Sequence, residues 1–222
     1  MDVDQEKEGE YRRTSMGRYL EASCKICRRN REKLYLKGAR CESAKCAIEK
    51  RNYPPGIRSV VTRKTSEYGR RLREKQKLRF FYSVSETQMR IYFKKALQLK
   101  GIAGHNLLSL FERRLDNVLF RAKVAKSRKD ARQLIRHGHF SVNGGKVNIT
   151  SYTLKAGDVV ALRVAEGDGF MLTRLEGVKE KTLPSWLSYD EKEKSVKVLH
   201  IPTRDEIDIP VEEQLIVEFY SM

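Results

Sequence analysis

No apolar run in this 222-residue chain approaches the roughly 20 residues that cross a bilayer. Nor does an apolar segment with a cleavage site open it, so neither a membrane span nor a secretory leader is expected. The sequence also has no P-loop, no glycine-rich dinucleotide turn and no nucleophile–His–acid arrangement in a supporting context. Repeats and low-complexity tracts are missing too. Acidic side chains are short of basic ones, 29 against 46, which leaves a formal charge of +17 and a pI of about 9.8. A free chain with that charge repels itself and calls for a polyanionic partner, nucleic acid ahead of an acidic membrane surface. The hydrophobic fraction is 40%, enough for one or two domains with real cores.

Cysteine is scarce and confined. Cys24, Cys27, Cys41 and Cys46 form a C-x2-C-x13-C-x4-C pattern, and the chain has no others. Two close pairs across a short loop suit one tetrahedral zinc, and four sulfurs leave no open coordination position, so such a site is structural. The alternatives are disulfides, which belong to short secreted chains, and a redox C-x-x-C, which a βαβ pattern would accompany. Lys25, Arg28 and Arg29 beside the thiols are expected to favour the thiolate form. Iron can also occupy thiolate sites, so the spacing does not fix the metal. A reducing, cytoplasmic location is expected.

Charge is unevenly distributed. Residues 58–79 carry nine Lys/Arg against Glu67 and Glu74, a net of +7. Residues 186–222 carry four Lys/Arg against nine Asp/Glu, a net of −5. The polyanion is expected on the amino-terminal and middle parts. The acidic end is expected to face solvent, a basic neighbour or the protein's own basic face.

Residues 1–15 are polar and read as a flexible extension. Residues 47–50 suit a helical turn that Tyr53-Pro54-Pro55-Gly56 ends. Residues 66–79 read as a basic helix with a thin stripe of Tyr68, Leu72 and Leu78. Ser85 with Gln88 suggests a capping box for a helix burying Met89, Tyr92, Phe93, Ala96, Leu97 and Leu99, closed by residues 101–104. Asn106 is placed as the cap of one further helix carrying Leu107, Leu108, Phe111, Leu115, Val118 and Leu119. Ser127, with Asp130 as return partner, caps a helix that Gly138 stops. Phe140-Ser141-Val142, Asn143-Gly144 and Lys146-Val147 read as strand, tight turn and strand. Strands are also expected at residues 159–164, 196–201 and 215–220, with Trp186 in the core. The predicted fold class is α+β. Its parts are a zinc-stapled, mostly helical basic region at 16–111, a two-helix and small antiparallel-sheet unit at 112–175, and a carboxyl-terminal segment at 176–222 packing back on both.

These residues resemble the bacterial-type small-subunit ribosomal protein four, or uS-four, family over residues 16–222. The matching stretches include Met16-Gly17-Arg18-Tyr19, the four cysteines with Tyr53-Pro54-Pro55-Gly56, and Ser66-Glu67-Tyr68-Gly69. Glu112-Arg113-Arg114-Leu115-Asp116-Asn117-Val118 is close to its central signature, and Ser127-Arg128, Ala131-Arg132-Gln133-Leu134, His137-Gly138-His139 and Val142-Asn143-Gly144 match the signature of its RNA-binding domain. Ile201-Pro202-Thr203-Arg204-Asp205-Glu206-Ile207 and residues 213–221 match its carboxyl end. The resemblance implies a non-enzymatic protein that binds small-subunit ribosomal RNA early in assembly. It also implies a place near the messenger path and a contact with small-subunit ribosomal protein five that bears on decoding accuracy. Some members repress their own messenger. Two departures stand out: Glu166-Gly167-Asp168-Gly169 replaces a basic run, and Phe80-Phe81-Tyr82 replaces a more basic stretch.

Phosphate contacts are expected from Arg63, Lys64, Arg70, Arg71, Arg73 and Lys77, since arginine's planar fork can grip a phosphate twice. Ser127, at a helix amino end, and Arg128, Arg132, Arg136, His137 and His139 are expected to line an RNA groove, with Arg113 and Arg114 beside them. Arg113 and Asp116 alternatively pair along one helical turn, and Asp116 is expected to orient an arginine. His137 and His139 alternatively cap the helix end. His105 and His200 read as structural. No small-molecule substrate is expected. An RNA-modifying enzyme or synthetase carrying the same unit would need a catalytic domain, and too little chain follows residue 165 for one. A zinc-dependent stress-response or transcription factor is the other alternative.

Overall fold

A computed structural model of the chain describes residues 22–56, 64–163, 183–190 and 193–222. The expected extension at 1–15, the motif at 16–19, Arg58, Arg63 and the stretch at 166–169 lie outside the described residues.

The described residues form an α+β fold. In chain order come α1 (Ser23–Asn30), a 3-10 turn (Gly38–Cys41), α2 (Ala47–Lys50), α3 (Glu67–Phe81), α4 (Glu86–Gln98), α5 (Ala103–Glu112), α6 (Leu115–Arg121) and α7 (Arg128–Arg136). Then follow β1 (Phe140–Val142), β2 (Gly145–Lys146), β3 (Val159–Leu162), β4 (Leu187–Asp190), β5 (Ser195–Val198) and α8 (Glu213–Ser221). The five strands form one antiparallel sheet in the order β2-β1-β3-β5-β4.

Three serines start three helices. Ser66, Ser85 and Ser127 accept from the amides of Gly69, Gln88 and Asp130 at 3.2, 3.3 and 3.2 Å, each satisfying one otherwise unpaired first-turn N–H. The Asp130 carboxylate does not return to Ser127; it accepts from the Lys126 amide at 2.9 Å. Asn143 (φ 49°) and Gly144 (φ 82°) give the tight β1–β2 turn its two positive dihedrals.

Asn106 is not a cap. α5 begins earlier, at Ala103, and Asn106 Nδ2 donates to the carbonyls of Ala96, Leu99 and Lys100 at 3.3 Å, closing the end of α4 instead. The long apolar helix is in fact two. Arg114 takes an extended backbone (φ −70°, ψ 137°) because the Leu115 and Asp116 amides donate sideways to the carbonyls of Tyr152 and Thr150, at 2.9 and 3.3 Å. Met89, Tyr92, Phe93 and Ala96 are buried as expected, but Leu97 and Leu99 are exposed. Leu97 sits about 100° around the helix from Ala96, and Leu99 has left the helix.

The strand expected at 215–220 is helix α8. Its β-branched and aromatic run has strand propensity, but a helix sets Ile216, Val217 and Tyr220 against a helical core, and packing overrides propensity. Two apolar cores result. One gathers residues of α1, α3, α4, α5 and α8 with Ile207, Ile209 and Val211. The other gathers α6, α7, the sheet and Trp186. The acidic end settles on the protein's own basic face. Arg71 meets Glu218 at 2.8 Å, Arg70 meets Glu212 at 3.2 Å, and the Tyr220 hydroxyl donates to Glu86 at 3.0 Å.

Candidate nucleic-acid interface and thiol cluster

The cysteine element folds around its thiols. Helix α1 sets Cys24 and Cys27 one turn apart on one face, Cys41 ends the 3-10 turn, and Cys46 precedes α2. All four are free thiols lining one small cavity with Lys37 and Arg40. Burial pushes the Cys27 thiol up to about 11, against a hydrogen bond from the Leu34 backbone, and the three other cysteines push the same way as burial. Burial also raises Cys41, opposed by the Lys37 amide, which donates to its sulfur at 3.4 Å. The Arg28 guanidinium is turned onto the Tyr53 ring and carbonyl. Four sulfurs with backbone N–H groups aimed at two of them fit the donor set of a structural zinc. Among the described residues, no group of three or more His, Cys, Asp or Glu has the geometry of a metal site as it stands.

Between the two cores lies a buried charge network. Glu112 is 1% exposed and accepts from Tyr82 Oη at 2.6 Å, Asn117 Nδ2 at 2.7 Å, and Arg121 at 2.7 and 3.0 Å. Burial pushes its carboxyl up, but the Arg121 guanidinium and these bonds outweigh burial and hold it below the usual carboxylate range. Asp116 accepts a fork from Arg114 at 3.0 and 3.1 Å and a third bond from Arg132 at 2.6 Å. Arg114 also donates to Tyr92 Oη at 2.9 Å, while Arg132 donates to the carbonyls of Tyr82 and Ser83.

The structure turns several of the expected RNA contacts inward or pairs them within the chain. Arg114 and Arg132 are buried, Arg114 with its donors on Asp116 and Tyr92 and Arg132 with its donors on Asp116 and the Tyr82 and Ser83 carbonyls, so they hold the two cores together. Arg128 is 4% exposed, with its guanidinium over the rings of Phe81, Phe120 and Tyr82. Lys77 is buried between Glu32 at 2.6 Å and Glu74 at 3.8 Å. Arg113 pairs with the Leu154 carbonyl at 2.8 Å rather than with Asp116. Arg71 is partly covered by Glu218, and Ser127 serves as the α7 cap.

What reaches water is a shorter set. Lys64, Arg70, Arg73, Arg136 and His137 are exposed and His139 is half-buried, the two histidine rings stacking at 6.2 Å. Sequence reasoning missed others. Lys25 and Arg29 on α1 join Arg73 of α3 around a groove of about 470 Å³ floored by Ile26, Leu72 and Phe80. Lys123 and Lys126 stand exposed between α6 and α7. The i, i+4 spacing of Lys25 and Arg29, beside Ile26, was the signal available for the first pair.

Comparison with known proteins gives consistent matches. The model of the ribosomal protein S4/S9 N-terminal domain matches residues 18–112, and that of the S4 domain matches residues 113–160. The chain is 51% identical over 207 residues, 93% of its length, to the small ribosomal subunit protein uS4 of Acetivibrio thermocellus and to that of Pelotomaculum thermopropionicum. The uS4 of Syntrophobacter fumaroxidans is 49% identical over the same length. All of each relative is covered.

Proposed function

The chain belongs to the uS4 family of small ribosomal subunit proteins, a structural, non-enzymatic family, and from that membership we propose that it binds small-subunit ribosomal RNA through its exposed cations. The observation that carries the reading is a charge of +17 that internal pairing only partly consumes, on a chain matched over 93% of its length by uS4 relatives. Lys64, Arg70, Arg73, Arg136, His137 and His139 are the proposed contacts of the original set. Lys25, Arg29, Lys123 and Lys126 join them. Arg63 stays in the set on sequence alone. Neutralising phosphates releases condensed counterions, so binding weakens steeply with salt. Structured RNA presents shape, phosphate and 2′-hydroxyl groups, and these donors suit such recognition better than base reading.

Three finer roles belong to the proposal: early binding that seeds assembly, a contact with small-subunit protein five that bears on decoding, and a place near the messenger in the cytoplasmic ribosome. Cys24, Cys27, Cys41 and Cys46 are proposed to hold one structural Zn²⁺. When bound, the metal would cross-link α1, the 3-10 turn and α2, while the Leu34 and Lys37 amides orient two of the sulfurs. RNA crosslinking from cells tests the function. Dominant small-subunit ribosomal RNA is the expected result. Dominant transfer RNA, DNA or no RNA would replace it with one of the rival readings.

A further inference from the structure

One groove carries cations at its rim that pair with nothing else among the described residues. Lys25 and Arg29 of α1 and Arg73 of α3 stand around the groove of about 470 Å³ floored by Ile26, Leu72 and Phe80. All three cations are exposed, and none of their side chains has a hydrogen bond or ion pair among the described residues. No Asp or Glu among those residues lines the groove. A surface that is basic at the rim and apolar at the floor fits an acidic peptide that also brings an apolar side chain.

The chain itself carries such a peptide. Asp2, Asp4, Glu6, Glu8 and Glu10 recur at every second position, and Lys7 is the one cation among residues 1–10, which leaves a net of −4. Tyr11 follows them. In an extended backbone a period of two puts all five carboxylates on one face, about 6.6 Å apart. Lys25 and Arg29 stand four residues apart on a helix, about 6 Å along its axis. The two spacings match. Twelve positions separate Glu10 from Ala22, and Ala22 leads directly into α1, so the acidic ladder is tethered beside the groove. A tether of that length holds it at an effective concentration on the order of millimolar. The ladder precedes residue 18, where the family match begins.

We propose that residues 2–11 seat on this groove in the free chain, with the carboxylates on Lys25, Arg29 and Arg73 and Tyr11 on the apolar floor, and that bound RNA displaces them. The seat stands on the groove and the ladder alone; the displacement rests on the RNA-binding reading. Exposed ion pairs are individually weak, so the seated segment yields to a denser polyanion.

The test uses the full chain and a full-length variant carrying Asp2→Asn, Asp4→Asn, Glu6→Gln, Glu8→Gln and Glu10→Gln. The Nε–H resonances of Arg29 and Arg73 are compared by NMR, and a synthetic peptide of residues 1–15 is then added to the variant at about millimolar concentration. The resonances are expected to differ between the two chains, and the peptide should return them toward their wild-type positions. Rising salt should move the wild-type resonances toward those of the variant. Identical resonances, or a peptide that leaves them unmoved, overturn the seat. A difference that follows protein concentration gives the groove to a second copy and overturns it too. Binding of both chains to small-subunit ribosomal RNA is then followed from about 50 to about 200 mM salt. RNA that displaces carboxylates from three cations releases no counterions there, so the variant's slope of log K against log salt should be steeper by about two. The variant should bind more tightly at low salt, and its advantage should shrink about tenfold across that range. Tighter binding without a difference in the resonances means that the acids repel RNA from a distance, which overturns the seat. Shifted resonances with unchanged affinity overturn the displacement. If neither chain binds the RNA, the parent reading fails, while the resonances still decide the seat.

Discussion

Asp116 and Glu112 decide how much of the positive charge is free to act. Each is buried, and each is surrounded by arginines from more than one element. D116A leaves Arg114 and Arg132 without their carboxylate in a buried site, which costs about 3–5 kcal/mol in denaturant unfolding. Loss below about 1 kcal/mol would place those guanidiniums in water. Glu112 gives a pH dependence of definite sign. Its folded carboxyl sits below the unfolded value of 4.5, so its contribution is present above pH 4.5 and is lost as pH falls through the lower folded value. E112Q should flatten that part of the acid unfolding curve; an unchanged acid slope contradicts the assignment. The Glu206 carboxyl is also held below the usual carboxylate range. Bonds from the Ser185 hydroxyl, the Thr203 amide and His200 hold its carboxyl down at about 2, and a carbon-detected NMR titration should place its midpoint there. Serine caps were legible in the sequence because capping is local chemistry. The inward turn of Arg128 and Arg132 was missed, although both fall on the Ala131 and Ile135 face of α7, where apolar neighbours imply burial.

Elements were read well where period and punctuation agreed. The helices after Ser85 and Ser127 and the Asn143-Gly144 hairpin came from caps, turn residues and apolar spacing, and the basic helix from its apolar stripe without its Ser66 cap. Failures lie where distant partners decide. The α5–α6 break depends on carbonyls of residues 150 and 152, and α8 depends on the surfaces of α3 and α5 that receive it. Docking of the cysteine element shows the same dependence. Gly38 has φ +62°, and a Cβ there would lie 2.5 Å from the Lys126 carbonyl oxygen. G38A therefore meets both backbone strain and a clash, whereas G144A, at φ +82° with nothing within 4 Å, meets strain alone. Thermal unfolding should rank G38A as the more damaging, with G144A costing about 1 kcal/mol. Equal losses would mean that the Gly38 contact yields without cost.

At the scale of the molecule, an acidic end and a basic middle meet within one chain, so net charge overstates the free cations. Arg71, Lys75 and Lys77 are taken up by Glu218, Glu86 and Glu32 before any partner arrives. Composition forecast a polyanion partner but could not say which cations would remain for it. With zinc bound, chelation should speed amide exchange in residues 22–50 and leave the 113–160 unit protected, since the second core contains no residue of the cysteine element. Exchange rising throughout the chain would show that the two cores unfold together. The most direct measurement is binding of the purified chain to small-subunit ribosomal RNA across a salt series. If phosphate contacts hold the complex, log K falls linearly with log salt, by about three decades or more between 50 and 200 mM for six or more contacts. Binding that does not change with salt, or no binding at low salt, would contradict the account.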